Sequence, residues 1–297
     1  VTRRARLPPR TVLPPRRQPR CRPPHRPLGV SSPEIPLTVP IRFYGENFTS
    51  IFVNANGLVS FLTDIPTFYN LEFPLDYPII APLYTNVDLR GSGQVLYRET
   101  KDPGVLTRAS TNARSFFPNT APDYQATSAF ITTWLKVGYY DSGRDKVNTY
   151  QICISTNGVE SFVEFLYADN GIQWVTGISQ SRSGLPDAKA QAGLVTTDGR
   201  MVTLKGSGTD QSIHLDRWSN TGTPGLWIFR IGNIGTDENA EAPEIPQREN
   251  EIDTSCATGS TSCHSSAECV DNQEVSAVFA NLPILEMESH VSSEIFH

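Results

Sequence analysis

Residues 149–167 read TYQICISTNGVESFVEFLY, two runs rich in β-branched and aromatic residues on either side of Asn157-Gly158. Asn-Gly accepts positive φ at both central positions of a tight type I′ turn, so two such runs flanking it predict a β-hairpin. The second run alternates with period two. One pleat face takes Phe162, Glu164 and Leu166, and the other takes Val163, Phe165 and Tyr167.

The same grammar extends in both directions. Runs at Ser50–Val53, Leu58–Leu62, Gln94–Arg98, Ala129–Tyr140, Ile172–Thr176, Ala190–Val195, Met201–Leu204 and Leu226–Ile231 are punctuated by Asn56-Gly57, Asn170-Gly171 and Asp198-Gly199. Two segments break the pattern and predict short helices. Asp102-Pro103 opens the first, with Leu106 and Ala109 spaced toward one face, and it stops near Phe117-Pro118. The second spans Thr209–Trp218, with Thr209 or Asp210 as cap and Ile213 and Leu215 as apolar contacts. The expected fold is mainly β: an antiparallel sandwich-like domain over residues 36–232 with two short helices, flanked by disordered tails.

Composition changes sharply outside that region. Of the 297 residues, the first 28 hold nine Arg, eight Pro and no acid. Self-repelling charge and missing backbone donors predict a disordered tail over residues 1–35. It reads as a solvated arm, or an exon wrongly joined, rather than as a surface for heparin or membranes; without an apolar stretch it is not a signal peptide. The remainder holds 16 basic against 31 acidic residues, a balance of −15. That excludes a nucleic-acid binder, which needs a basic face to displace counterions. No apolar run approaches the roughly 18 residues of a membrane span. Residues 233–255 carry seven carboxylates, one Arg and two Pro, an extended acidic linker.

Candidate chemistry is sparse. His214 is the one histidine between residues 36 and 232, and His214-Leu215-Asp216 has no nucleophile elbow beside it; it reads as a surface or capping residue. Gly91-Ser92-Gly93 lacks the Lys and Ser/Thr of a phosphate loop and reads as a turn. Residues 141–145 lack the later bidentate Glu of a calcium loop and read as a polar turn. Cys153, inside an apolar strand, reads as a buried inert thiol packing like a small hydrophobe. The sequon Asn47-Phe48-Thr49 makes Asn47 a glycosylation candidate in a secreted protein. No catalytic, cofactor or metal residue is assigned.

The residues at 43–61, FYGENFTSIFVNANGLVSF, resemble the nidogen extracellular (NIDO) domain. The likeness continues in order through Pro78–Leu83, Asn86-Val87-Asp88, Gly93–Thr100, Thr132-Thr133-Trp134, Val137–Tyr140, Asn148–Gln151, Gly171–Trp174, Ala190–Gly193 and Gly225–Arg230. Residues 256–272 add a second resemblance. Cys256-x6-Cys263-x5-Cys269 has the spacing of the first half of an EGF-like repeat, which explains these thiols better than a zinc site does. The repeat implies a Cys256–Cys269 disulfide and leaves Cys263 unpaired. Residues 273–297 lack the remaining cysteines, and half a repeat should not fold without its bridges. That tail is expected to be an isoform end, an intron read-through or a gene-model error. With the rest of the repeat missing, Glu251-Ile252-Asp253 is not expected to bind calcium.

The nidogen resemblance implies a non-enzymatic, secreted glycoprotein of the extracellular matrix, in particular basement membrane. Such a module mediates cell–matrix adhesion through protein–protein contacts made by loops between hairpins. Its implied partners are matrix or cell-surface proteins, with no nucleic acid, membrane span or cofactor. Two alternatives are a mucin-like or tectorin-like protein using the same domain, and a secreted hydrolase.

Overall fold

The computed structural model describes residues 31–177 and 185–243. In chain order the strands are β1 Ile35–Phe43, β2 Glu46–Asn54, β3 Leu58–Ser60, β4 Ile79–Tyr84, β5 Val87–Asp88 and β6 Gln94–Thr100. Helix α1 spans Pro103–Phe116. Then come β7 Ser128–Tyr139, β8 Asn148–Thr156, β9 Ser161–Tyr167, β10 Gln191–Val195, β11 Met201–Thr203 and β12 Leu226–Arg230. One sheet is ordered β1-β2-β3-β4-β10-β11; in the other, β12-β9-β8-β7 continues to β5 and β6, which both pair with β7. Every pairing is antiparallel.

The alternation in β9 falls as the sequence predicts. Val163, Phe165 and Tyr167 join the main core with Tyr150, Ile152 and Trp134 from the same sheet and with Phe43, Ile51, Val59, Ile80 and Leu83 from the other. Three polar atoms of aromatic side chains then bond across between the sheets. Trp134 Nε1 donates to the Asn54 carbonyl at 3.0 Å, Tyr167 Oη to the Pro82 carbonyl at 2.6 Å, and Tyr150 Oη to the Leu83 carbonyl at 3.4 Å. Trp134 and Tyr150 also stack at 5.2 Å. Pro82 sits inside a strand because its partner β10 shifts register there, so no ladder donor is required of it.

Both outer faces are covered as well. On one, Val105 of α1 meets Cys153, Ile131 and Leu166, while Phe117 and Tyr124 pack on Phe162. The helix starts where Asp102 Oδ1 accepts from Val105 N–H at 3.0 Å, with Pro103 in its first turn. Its buried stripe is Val105, Ala109 and Ala113; Leu106, expected on that face, is only partly buried. On the other outer face, residues 61–78 fold back so that Ile65, Phe73 and Leu75 cover Leu58, Tyr84 and Val195.

Several expectations are corrected. Ile172–Thr176 forms no strand. The Asn148 carboxamide accepts from Gln173 and Trp174 N–H and donates to the Trp174 carbonyl, replacing a ladder with side-chain bonds. The second helix is a 3-10 turn, Asp210–His214, capped by Thr209. β1 contains Pro36 and Pro40, which masked it in the sequence; it lies at a sheet edge, where missing donors cost little. Asn56-Gly57, Asn157-Gly158 and Asp198-Gly199 do connect paired strands, but only their glycines take positive φ. Their loops are therefore longer than a two-residue type I′ turn. Asn170-Gly171 makes a turn with no second strand after it.

The domain edges pack further than their composition suggests. Ser32 N–H donates to the Val53 carbonyl, Ile234 is buried in the core, and Glu241 bridges to Arg230 through both backbone and side chain. The first 30 residues, residues 244–255 of the linker, the EGF-like segment 256–272 with Cys256 and Cys269, and the tail 273–297 lie outside the described residues.

Two glycines test the inter-sheet junction. Gly57 has φ +86, and a Cβ there would overlap the Leu83 carbonyl and lie 2.7 Å from Tyr150 Oη. Gly199 has φ +84, but open space surrounds its missing Cβ. Gly57→Ala should lower unfolding free energy by about 2–4 kcal/mol, against about 1 kcal/mol for Gly199→Ala. Urea midpoints compare them directly; equal losses would mean that backbone strain alone sets the cost.

Candidate interaction surfaces

Cys153 is fully buried beneath α1, and burial pushes its thiol up to about 12, so it is protonated at neutral pH. Its surroundings are less apolar than a small-hydrophobe reading implies. Next to it, Arg108 from α1 meets Glu164 from β9 at 2.7 Å, and Asn112 Nδ2 donates to the other carboxylate oxygen at 2.9 Å. The pair fastens the helix to the sheet. The proximity of Glu164 helps hold the guanidinium pKa above its usual value despite burial.

His214 lies at the end of the 3-10 turn with its ring 5.5 Å from Trp218. Burial, followed by repulsion from Arg217, lowers its pKa. Asp216 is 7% exposed, and its Oδ1 accepts no hydrogen bond. Burial raises its pKa to about 6. Both line a cavity of about 350 Å³ rimmed by Lys146 and Arg217, but no hydrogen bond joins the two, so the His-x-Asp spacing makes no relay.

The two remaining polar motifs are local scaffolding. Gly91 and Gly93 connect β5 to β6 where a Cβ would overlap the backbone of Ser142 and Lys136, so these glycines allow close passage of the chain. In the 141–145 turn, Ser142 N–H donates to Asp88 Oδ2 at 2.8 Å, and Tyr139 Oη to Asp145 at 2.5 Å. Among the described residues no group of three or more His, Cys, Asp or Glu side chains could hold a metal. Asn47 and Thr49 both lie exposed on β2, while Phe48 between them is buried. Strand alternation thus presents both polar ends of the sequon to solvent.

The stretch that sequence reading passed over is residues 61–78, FLTDIPTFYNLEFPLDYP. Its buried side chains cover β3 and β4, yet Leu62, Tyr69, Leu71 and Tyr77 stay 58%, 49%, 46% and 39% exposed. The backbone is pinned along its length. Tyr84 Oη bonds both the N–H and the carbonyl of Tyr69, and Gln191 bonds Phe73 N–H and the Leu71 carbonyl. The Ile65 carbonyl accepts from Asn54 Nδ2. A signal was present in the sequence: large apolar residues, three acids and no base, in a stretch without strand periodicity.

The raised Asp216 pKa fixes a sign for pH dependence. An acid whose folded pKa exceeds its unfolded value of about 3.9 holds a proton in the native state that the unfolded chain has released. Its contribution is therefore present below about pH 4 and lost as pH rises through about 6. Asp216→Asn should remove that fall, so the variant's stability should gain on that of the wild type as pH rises from 4 to 7 in urea titrations. Parallel profiles would mean that Asp216 titrates normally.

The nidogen-like domain model, NIDO, matches residues 49–233. Nidogen of Drosophila melanogaster is 37% identical over 244 residues, covering 80% of this chain and 18% of that protein. Alpha-tectorin of Mus musculus is 34% identical over 210 residues, 68% of this chain and 10% of that protein. Nidogen-2 of Mus musculus is 31% identical over 220 residues, 68% of this chain and 16% of that protein. The chain thus spans less than a fifth of the length of these relatives, and no solved structure matches. The matched span runs from within β2 to just past β12, across both sheets and the loop joining β3 to β4, and the chain belongs to the nidogen-like (NIDO) domain family.

Proposed function

We propose that this chain is a non-enzymatic module of a secreted matrix protein, mediating cell–matrix adhesion through contacts with matrix or cell-surface proteins, in basement membrane. The observation that carries this reading is the family match, which runs across both sheets and is shared with nidogens and alpha-tectorins. The exposed apolar side chains of residues 61–78 favour binding by surface over chemistry in a cleft. Greater coverage by Drosophila nidogen favours a nidogen-type parent over a tectorin-type one. Residues 256–272, with a Cys256–Cys269 bridge, belong to the same reading as the opening of an EGF-like repeat.

When secreted by cultured epithelial cells, the protein should remain in the detergent-insoluble matrix, and surfaces coated with it should support cell attachment above an albumin control. Full recovery in the medium together with attachment at the control level would overturn the proposal. We also assign Asn47 as a glycan acceptor, from its exposure and that of Thr49. Peptide N-glycosidase should increase the gel mobility of the secreted protein, and Asn47→Gln should abolish that shift. An unchanged wild-type band would remove the assignment.

A further inference from the structure

Residues 61–78 combine three properties. Four large apolar side chains, Leu62, Tyr69, Leu71 and Tyr77, face solvent. Between them stand three exposed carboxylates, Asp64, Glu72 and Asp76, and the stretch contains no Lys, Arg or His. The backbone carrying them is held to β4 and β10 through Tyr84 and Gln191, and to β2 through Asn54.

The carboxylates are the informative part. Elsewhere among the described residues seven acids are ion-paired, Asp88 with Arg90, Glu160 and Glu241 with Arg230, Glu164 with Arg108, Asp198 with Arg200, and Asp187 and Asp210 with Lys189, while others such as Glu46 and Asp123 are not. What sets residues 61–78 apart is three exposed acids among exposed apolar side chains with no base in the stretch. Among the described residues, Asp64, Glu72 and Asp76 enter no ion pair. Tyrosines on a fixed backbone bury large area with little loss of conformational freedom, and unpaired charges around them select a partner of opposite sign. A second copy of the chain meeting the same surface would bring three carboxylates against three, which opposes self-pairing.

We propose that residues 61–78 are the docking surface for a basic protein partner, one that presents Lys or Arg side chains around an apolar depression receiving Tyr69 and Tyr77. Arginine from such a partner can pair with the carboxylates and stack on the tyrosine rings. This deepens the adhesion reading above and rests on it.

The test uses the full chain and an immobilised basement-membrane extract as probe. Tyr69→Ser combined with Tyr77→Ser should weaken binding about tenfold or more, the loss typical of aromatic anchors. Asp64→Asn, Glu72→Gln and Asp76→Asn together should weaken it and flatten its salt dependence, because the screened charges are gone. Val159→Ser, on an exposed turn of the other sheet, should bind as wild type does. Extract first passed over a cation-exchange resin, and so stripped of basic proteins, should lose its capacity for the wild type. All the substituted side chains are exposed, and matched unfolding midpoints verify intact folding. If wild type and both loop variants bind alike, the docking surface is wrong while adhesion stands; if the wild type does not bind, adhesion fails and this inference with it. Two further outcomes overturn the proposal by naming another occupant. One is wild-type dimers in sedimentation equilibrium that dissociate in the tyrosine variant. The other is tryptic protection of the arginines in residues 1–28 that the tyrosine variant loses.

Discussion

The polar ends of three large aromatic rings hold the two sheets in register. Trp134, Tyr150 and Tyr167 all rise from the β7–β8–β9 sheet, and each donates to a backbone carbonyl of the other sheet, at Asn54, Leu83 and Pro82. A buried hydroxyl or indole N–H without a partner costs about 1–3 kcal/mol, so sliding either sheet would orphan several groups together. Hydrophobic contact alone permits sliding; these bonds do not. The close passage of the chain at Gly57 adds to this constraint, since a Cβ there would overlap the Leu83 carbonyl of its own sheet and crowd the Tyr150 hydroxyl of the other.

With the interior fixed, the outer faces become the variable part of the molecule, and they are closed by different chemistry. Helix α1 is fastened by a partly buried ion pair, Arg108 with the buried Glu164, in addition to its alanine and valine stripe. Such pairs gain little net energy over apolar packing, but removing one partner is costly, so they fix one helix position. Residues 61–78 cover the opposite face with Ile65, Phe73 and Leu75 and are fastened by neutral hydrogen bonds from Tyr84 and Gln191. The helix buries its apolar stripe against the sheet. The loop buries part of its apolar surface and presents the rest to solvent, which is the economy expected of a surface that meets another protein.

Most of the architecture was legible in residue order. The hairpin of β8 and β9, the two faces of β9 and the Asp102-Pro103 helix start follow from turn chemistry, pleat alternation and capping, all of which act between near neighbours. What escaped reading depended on distant partners. β1 was hidden by Pro36 and Pro40, whose missing donors matter only if the strand has neighbours on both sides. Ile172–Thr176 had strand composition, but the Asn148 carboxamide captured its backbone. Of the candidate sites, Cys153 is buried inside its strand as expected, whereas which side chains of residues 61–78 face solvent was set by their packing on β3 and β4.

The sequence by itself determined the mainly β class, most of the strand set and the membership of the family, because local propensity and ordered motifs are written along the chain. Tertiary structure alone decided which side chains of residues 61–78 are buried and which face outward, how the sheets are locked, and that Glu164 on β9 is neutralised from α1. Those outcomes depend on pairings between separate elements, from Tyr69 with Tyr84, 15 residues apart, to Trp134 with Asn54, 80 apart. Linear spacing carries no information about such pairings, since a buried donor or charge takes whichever partner folding brings within bonding distance.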